Sequence, residues 1–182
     1  PYVVRVSISG AVPGVEVANY FTNRPYGSDP SEVKLIQMFA VDYDYLALYS
    51  PEMLCGRGFS EAYGNERNKV VLNEEAVRLL GYPSPEEALG KQLEMEVLED
   101  PLEVVGVVKN YHQQSLAEPY KPILFFLKER VPFIATPYIS VKMDGPVNSD
   151  CLAEVEQMYR TYFPSALFSY FYLDDYQDSL YK

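Results

Sequence analysis

The chain has 182 residues, 26 of them acidic and 15 basic, for a net charge of −11. At 48% apolar and 23% charged, with 17 Tyr and 9 Phe, it is too apolar and aromatic to stay disordered. A negative field with no basic stripe repels phosphate backbones and anionic headgroups, which excludes nucleic acid as a partner.

A chain of this length makes one large domain or two small ones and buries roughly 70% of its unfolded surface. Cys55 and Cys151 form no Cys-x-x-Cys. They read as two free thiols, neither a disulfide framework nor a zinc site, although one disulfide in an oxidising compartment stays open. No apolar run approaches the ~20 residues that span a bilayer, and no signal peptide is recognisable. A start at Pro1-Tyr2 reads as an excised or processed piece.

In chain order, "NRPYGSDPS" (23–31) is rich in turn formers and reads as a linker. "SEVKLIQMFAV" predicts a strand with Val33, Leu35, Phe39 and Val41 on one face. "DYDYLALYS" predicts a short helix capped by Asp42 and ended before Pro51. "NEEAVRLLG" predicts a helix with Asn73 as its cap, Glu74 and Glu75 at the positive end of the dipole, and Gly81 as terminator. "SPEEALG" carries a capping box from Ser84 to Glu87, with Pro85 first in the helix and Gly90 after it.

Leu93, Met95 and Val97 alternate with polar residues, and Glu99-Asp100-Pro101 supplies a turn before the Val-rich run 104–108, so the two read as a hairpin. "QQSLAEPYKP" (113–122) is a second linker candidate. "PILFFL" predicts a short edge strand led by Pro122. "PYISVKM" alternates Ile139, Val141 and Met143 against Tyr138, Ser140 and Lys142. "SDCLAEVEQMYRTYFP" predicts the longest helix, with a stripe of Leu152, Val155, Tyr159 and Tyr162. "ALFSYFYL" predicts a strand covered on two sides. Strand, helix and strand over 137–143, 148–163 and 166–173 make a βαβ unit. The β-rich middle reads as an insertion into an α/β subdomain built from both chain ends.

The standard catalytic signatures are absent. Gly90-Lys91 has Pro85 where a phosphate loop needs its first glycine, and Gly56 and Gly58 are followed by Glu61 where a third glycine belongs. His112 is the chain's single histidine, so a Ser-His-Asp or Cys-His arrangement must use it, with Ser115 and Lys109 nearby. No residue sits on a nucleophile-type strained turn, and the surroundings favour a half-buried imidazole fixing a turn. Asp42 with Asp44, Glu154 with Glu156, and Asp174 with Asp175 are carboxylate pairs; helix capping and solvated faces account for them before metal binding does. No metal or cofactor site follows. The tyrosines admit a glycan- or peptide-binding surface, though many alternate with Phe and Leu as packing residues do.

One run of residues carries a resemblance. Asn73-Glu74, Gly90-Lys91, Gly106-Val107-Val108-Lys109, His112 and Ser115-Leu116 fall, in order and spacing, into the pattern of the extracytoplasmic core domain of MacB-like, FtsX-like ABC transporter permeases. Upstream, Val41, Asp42, Tyr45 and Leu46, then Gly56, Arg57 and Phe59, resemble the family's Val-Asp-x-x-Tyr/Phe-Leu … Gly-Arg-x-Phe segment. The chain departs from the pattern in placing Asn110-Tyr111 where Asp-Phe is commoner.

The resemblance implies an α+β fold of two subdomains. A Porter-like one would be built from residues 1–32 and 119–182, and an inserted, β-rich Sabre-like one from 33–118. It implies that the Lys109–His112 turn is structural, with Gly106 permitting a bulge or a close backbone approach. It also implies a non-catalytic domain, without cofactor, on the periplasmic side of the bacterial inner membrane. Its partners would be the membrane helices of the same permease, a separate cytoplasmic ATPase, and a periplasmic protein or an exported peptide or lipid. Two other readings stand beside it: a secreted ligand-binding module with a tyrosine-rich surface, and a small hydrolase using His112.

Overall fold

The computed structural model describes residues 3–113 and 119–179. Ser115 and Leu116 lie outside the described residues. The fold is mixed α/β. Its strands are β1 (Val3–Ser9), β2 (Tyr20–Pro25), β3 (Lys34–Val41), β4 (Met53–Gly56), β5 (Lys69–Asn73), β6 (Gln92–Met95), β7 (Leu102–Val108), β8 (Ile123–Leu127) and β9 (Tyr138–Met143). The helices are α1 (Tyr45–Tyr49), α2 (Glu74–Leu79), α3 (Pro85–Ala88), α4 (Ser149–Tyr162) and α5 (Leu173–Ser179).

All nine strands share one sheet, and six of them close on themselves. β2 pairs with both β3 and β6, and the circuit β3–β8–β5–β7–β6 completes the ring. The β3–β8 and β5–β7 pairs are parallel; the other four are antiparallel. β4 pairs with the C-terminal half of β7, while β1 joins the end of β3 through Ser9 and Val41 and carries β9 on its far side.

The sequence explains how the ring is filled. β8 is apolar at every position and buried throughout, because side chains that alternate across a sheet here meet a core on each face. Leu124 and Phe126 join Ile36, Met38, Val70 and Leu72 on one side, with Ala76, Val77 and Ala88 from α2 and α3. Ile123, Phe125 and Leu127 join Phe39, Val41, Val71 and Val108 on the other, with Tyr45 and Leu46 from α1. Phe125 meets Phe39 edge-on, with ring centroids 5.4 Å apart. Burying one such ring contributes about 2–3 kcal/mol.

The hairpin β6–β7 pairs Leu93 with Leu102, and helices α2 and α3 begin at Asn73 and Ser84. Elsewhere the structure corrects the expectations. "PILFFL" is a central strand: Pro122 precedes it, where a missing N–H costs no ladder bond, and its carbonyl accepts from Gln37 N at 2.9 Å. β3 is buried on both faces from Ile36 to Val41, whereas Val33 and Leu35 are exposed. α1 has Asp44 at its cap position, and Asp42 instead binds β1, accepting from Ser7 Oγ at 2.7 Å and Ile8 N at 2.6 Å. Residues 166–173 form no strand, so the C-terminal part shows β9 and α4 without the third member of a βαβ unit.

The β1–β9 ribbon turns its polar face inward. Arg5, Ser7 and Ser9 turn inward, Arg5 pairing with Asp44, and Ser140 bonds the Tyr49 hydroxyl at 2.7 Å. The apolar residues, including Val6 and Ile139, form the outward face. No residue of α4 is buried.

Candidate functional site at the ends of β5 and β7

β5 and β7 are parallel and end level, Asn73 beside Val108, so the residues that follow both strands meet at one end of the ring. The Asn73 side chain is fully buried there and ties three elements together. Its Oδ1 accepts from Ala76 N (3.0 Å) in α2 and from Ile123 N (2.8 Å) in β8, and its Nδ2 donates to Lys121 O (2.8 Å). A carboxamide carries its acceptor and its donor on two separate atoms, whereas Ser has both on one shorter-reaching oxygen and an ionised Asp has no donor. Next to it, Glu74 and Asn110 interlock: Asn110 N donates to Glu74 Oε2 (2.8 Å), and Glu75 N donates to Asn110 Oδ1 (2.9 Å). Glu74 and Glu75 also lie in the first turn of α2, where its dipole favours them.

Lys109 points into solvent and donates to Glu52 Oε2 at 2.8 Å, a hydrogen bond that raises its pKa. The His112 ring lies against Tyr120, centroids 4.4 Å apart. The sequence reading passed over Gln113. Its buried side-chain amide donates to Val12 O (2.8 Å) and Val15 O (2.9 Å), and its backbone carbonyl accepts from Gly14 N (2.9 Å), pinning the loop between β1 and β2. Nothing local marks it, because its partners lie about a hundred residues away.

Gly106 and Val107 precede the junction on β7, beside Val71 and Leu72 of β5. A Cβ on Gly106 would stand 2.2 Å from the carbonyl oxygen of Arg57, so the chain crossing above admits only glycine. Gly56 has φ +71°, and its own Cβ would stand 2.3 Å from Val105 O. Arg57 N donates to Val105 O at 2.9 Å and fixes the crossing. β7 bulges there: Val70 and Val71 face Val104 and Gly106, leaving Val105 unpaired with β5. Arg57 also pairs with the buried carboxylate of Glu66, and its guanidinium lies 3.8 Å over Tyr63. Glu66 in turn accepts from Ser60 N at 2.7 Å. The Gly-Arg-x-Phe segment pointed to this arch; Glu66 had no signal of its own.

Gly90 and Lys91 lie near the other end of β7, where Gly90 N donates to Val104 O (2.8 Å) and Lys91 O accepts from Val104 N (2.9 Å). They line a cleft of about 450 Å³ with Pro25, Tyr26, Tyr82 and Pro83. The motif residues therefore occupy three separate places on the ring, and their polar atoms mainly bond to backbone. Of the carboxylate pairs, Asp42 and Asp44 hold β1 to α1, Glu156 pairs with Arg160, and Asp174 and Asp175 lie in the first turn of α5. Both cysteines are free thiols. Among the described residues no group of His, Cys, Asp and Glu is placed to hold a metal, and no helix is long and apolar enough to cross a membrane.

Comparison with known proteins agrees with this geometry. The family model of the MacB-like periplasmic core domain matches residues 2–154. An uncharacterized ABC transporter permease of Bacillus subtilis (strain 168), YvrN, is 33% identical over 122 residues, 63% of this chain. The match occupies 29% of that permease, so the chain spans under a third of it. The periplasmic region of MacB from Actinobacillus actinomycetemcomitans shares the fold with a TM-score of 0.65 at 18% identity, covering 99% of this chain and 77% of that one. The extracellular domain of the ABC-type transporter YknZ from Gram-positive bacteria gives 0.62 at 15% identity, covering 90% and 78%.

Proposed function

The chain belongs to the family of MacB-like periplasmic core domains, which ABC transporter permeases carry on the periplasmic side of the inner membrane, and from that premise we propose that it is a mechanical relay. In this reading ATP is hydrolysed on a separate cytoplasmic ATPase, and membrane helices of the same permease carry the motion outward. The domain moves as a body against a periplasmic protein or an exported peptide or lipid. It performs no chemistry itself.

The family match over residues 2–154 carries the proposal. The ring supports it: a relay needs a body that does not deform, and six strands closed on one another have few soft modes. The division into a Porter-like part (1–32 with 119–182) and a Sabre-like part (33–118) belongs to the same reading. Strands from both parts pair within the sheet.

A distance measurement tests the relay. Ala62 is exposed on the 56–66 arch. With Cys55 and Cys151 replaced by serine, Ala62→Cys in the full permease takes a fluorophore whose transfer to a bilayer-embedded acceptor is read in two states. The nucleotide-free and ATP-trapped complexes are expected to differ. Identical transfer in both, with ATP turnover intact, rejects the relay.

A further inference from the structure

Two sulfur atoms meet where β9 hands over to α4. Met143 closes β9, where it pairs with Val3, and Cys151 is the third residue of α4. The Cys151 thiol donates to the Met143 thioether across 3.8 Å. Both side chains are half-buried, so the pair is sheltered from bulk water yet reachable from it. Backbone structure places each sulfur independently. The β1–β9 ladder holds Met143 in register, and Cys151 N donates to Asn148 Oδ1 at 2.9 Å in the cap of α4. The turn between strand and helix passes through Gly145 at φ +81°.

The pair opens onto a cleft of about 160 Å³. Asp144, Asp150 and Glu154 line it, and neither lysine nor arginine does. A mouth of one sign raises the local concentration of cations. A thiol is a weak donor and a thioether a weak acceptor, so their hydrogen bond contributes little. As metal ligands the same two atoms are strong, provided the metal is soft. Cys55 provides the contrast: burial, and then Glu86, push its thiol pKa up, and it lies in β4 beside Val107.

The spacing narrows the class of metal. With metal–sulfur bonds of about 2.3 Å, sulfurs 3.8 Å apart subtend an angle of about 110° at a shared ion. That is a bent pair with a further position open to solvent. Two protein ligands are too few for a structural zinc site, which takes four, and a thiolate with a thioether selects Cu(I) over the hard cations that carboxylates prefer. We propose that Met143 and Cys151 form a site for Cu(I) at the β9–α4 junction. Binding breaks the thiol S–H bond, passes its proton to water, and forms one copper–thiolate and one copper–thioether bond. Copper stays Cu(I), and nothing is oxidised. The open third position leaves the ion exchangeable, and the three carboxylates draw it in.

Alkylation of Cys151 tests the site in the full permease, without oxygen and with copper kept as Cu(I) by ascorbate. N-ethylmaleimide labels the thiols, and the Cys151 peptide is read by mass, so other thiols of the permease do not interfere. Free Cu(I) is set with a bathocuproine buffer. Copper is expected to slow labelling of Cys151 by roughly tenfold, because the metal occupies the thiolate that reacts, and to leave Cys55 unchanged. Met143→Leu conserves volume, and it should raise the free Cu(I) needed for half protection about tenfold. Equal protection in Met143→Leu means that the thiol alone takes up an adventitious ion only, and overturns the proposal. Absence of protection in the wild-type permease overturns it, as does equal protection by Zn(II) at the same free concentration. Each variant is compared with itself, with and without metal, so a change in exposure caused by the substitution cancels.

Discussion

The ring and the ribbon are made from the same kinds of residue, with opposite results. In the ring, β8 buries every side chain between two cores, and neither β8 nor β5 has a free edge. In the ribbon, β1 and β9 turn serines and an arginine inward and valines and isoleucines outward. The difference lies in neighbours rather than composition. A strand with partners on both edges and layers on both faces has its orientation over-determined, whereas the ribbon is held to the body by the end of β3 at Ser9 and Val41 and by a few polar bonds from Asp42, Asp44 and Tyr49. Stability in this fold should therefore be concentrated in the ring.

Substitutions can break that comparison. The largest expected loss is Gly106→Val, which drives a side chain into the Arg57 carbonyl; it should cost about 3 kcal/mol or more in chemical denaturation. If Gly106→Val unfolds at the wild-type midpoint, the crossing is not rigid and the ring is softer than described. Asn73→Ala should follow, at about 3 kcal/mol, because it removes a helix cap and leaves the buried Ile123 N without its acceptor. Asn73→Ser sharpens the point: it restores the cap alone and should recover only about 1 kcal/mol. Full recovery by serine would mean that the ties to β8 contribute nothing. At the ribbon end, Glu156→Gln removes the helix pair with Arg160 in α4 and should change stability by less than about 0.5 kcal/mol. A larger loss would show that α4 is held more firmly than its exposure suggests.

Much of this was legible in the sequence, in a particular sense. The order and spacing of Asn73-Glu74, Gly90-Lys91 and Gly106–His112 identify the family, and local chemistry places the caps of α2 and α3 and the β6–β7 hairpin. What escaped was non-local. Ring closure depends on pairing Asn23 with Met95 and Gln37 with Ile123, which no local pattern encodes. Pro122 suggested an edge because the rule concerns a missing N–H, and its position just before the strand removes the conflict. The ribbon's polarity was not legible, because alternation tells which residues share a face, not which face meets the core. The buried Gln113 and Glu66 find their partners only once the chain is folded.

A closed hoop has no first strand to peel. An open sheet under tension can shed its outermost strand and keep the rest, yielding by degrees. Here each of the six strands is hydrogen-bonded on both flanks, so a pull on one is divided around the circuit. Stretched in a single-molecule instrument, residues 20–127 should hold to one threshold and then let go together.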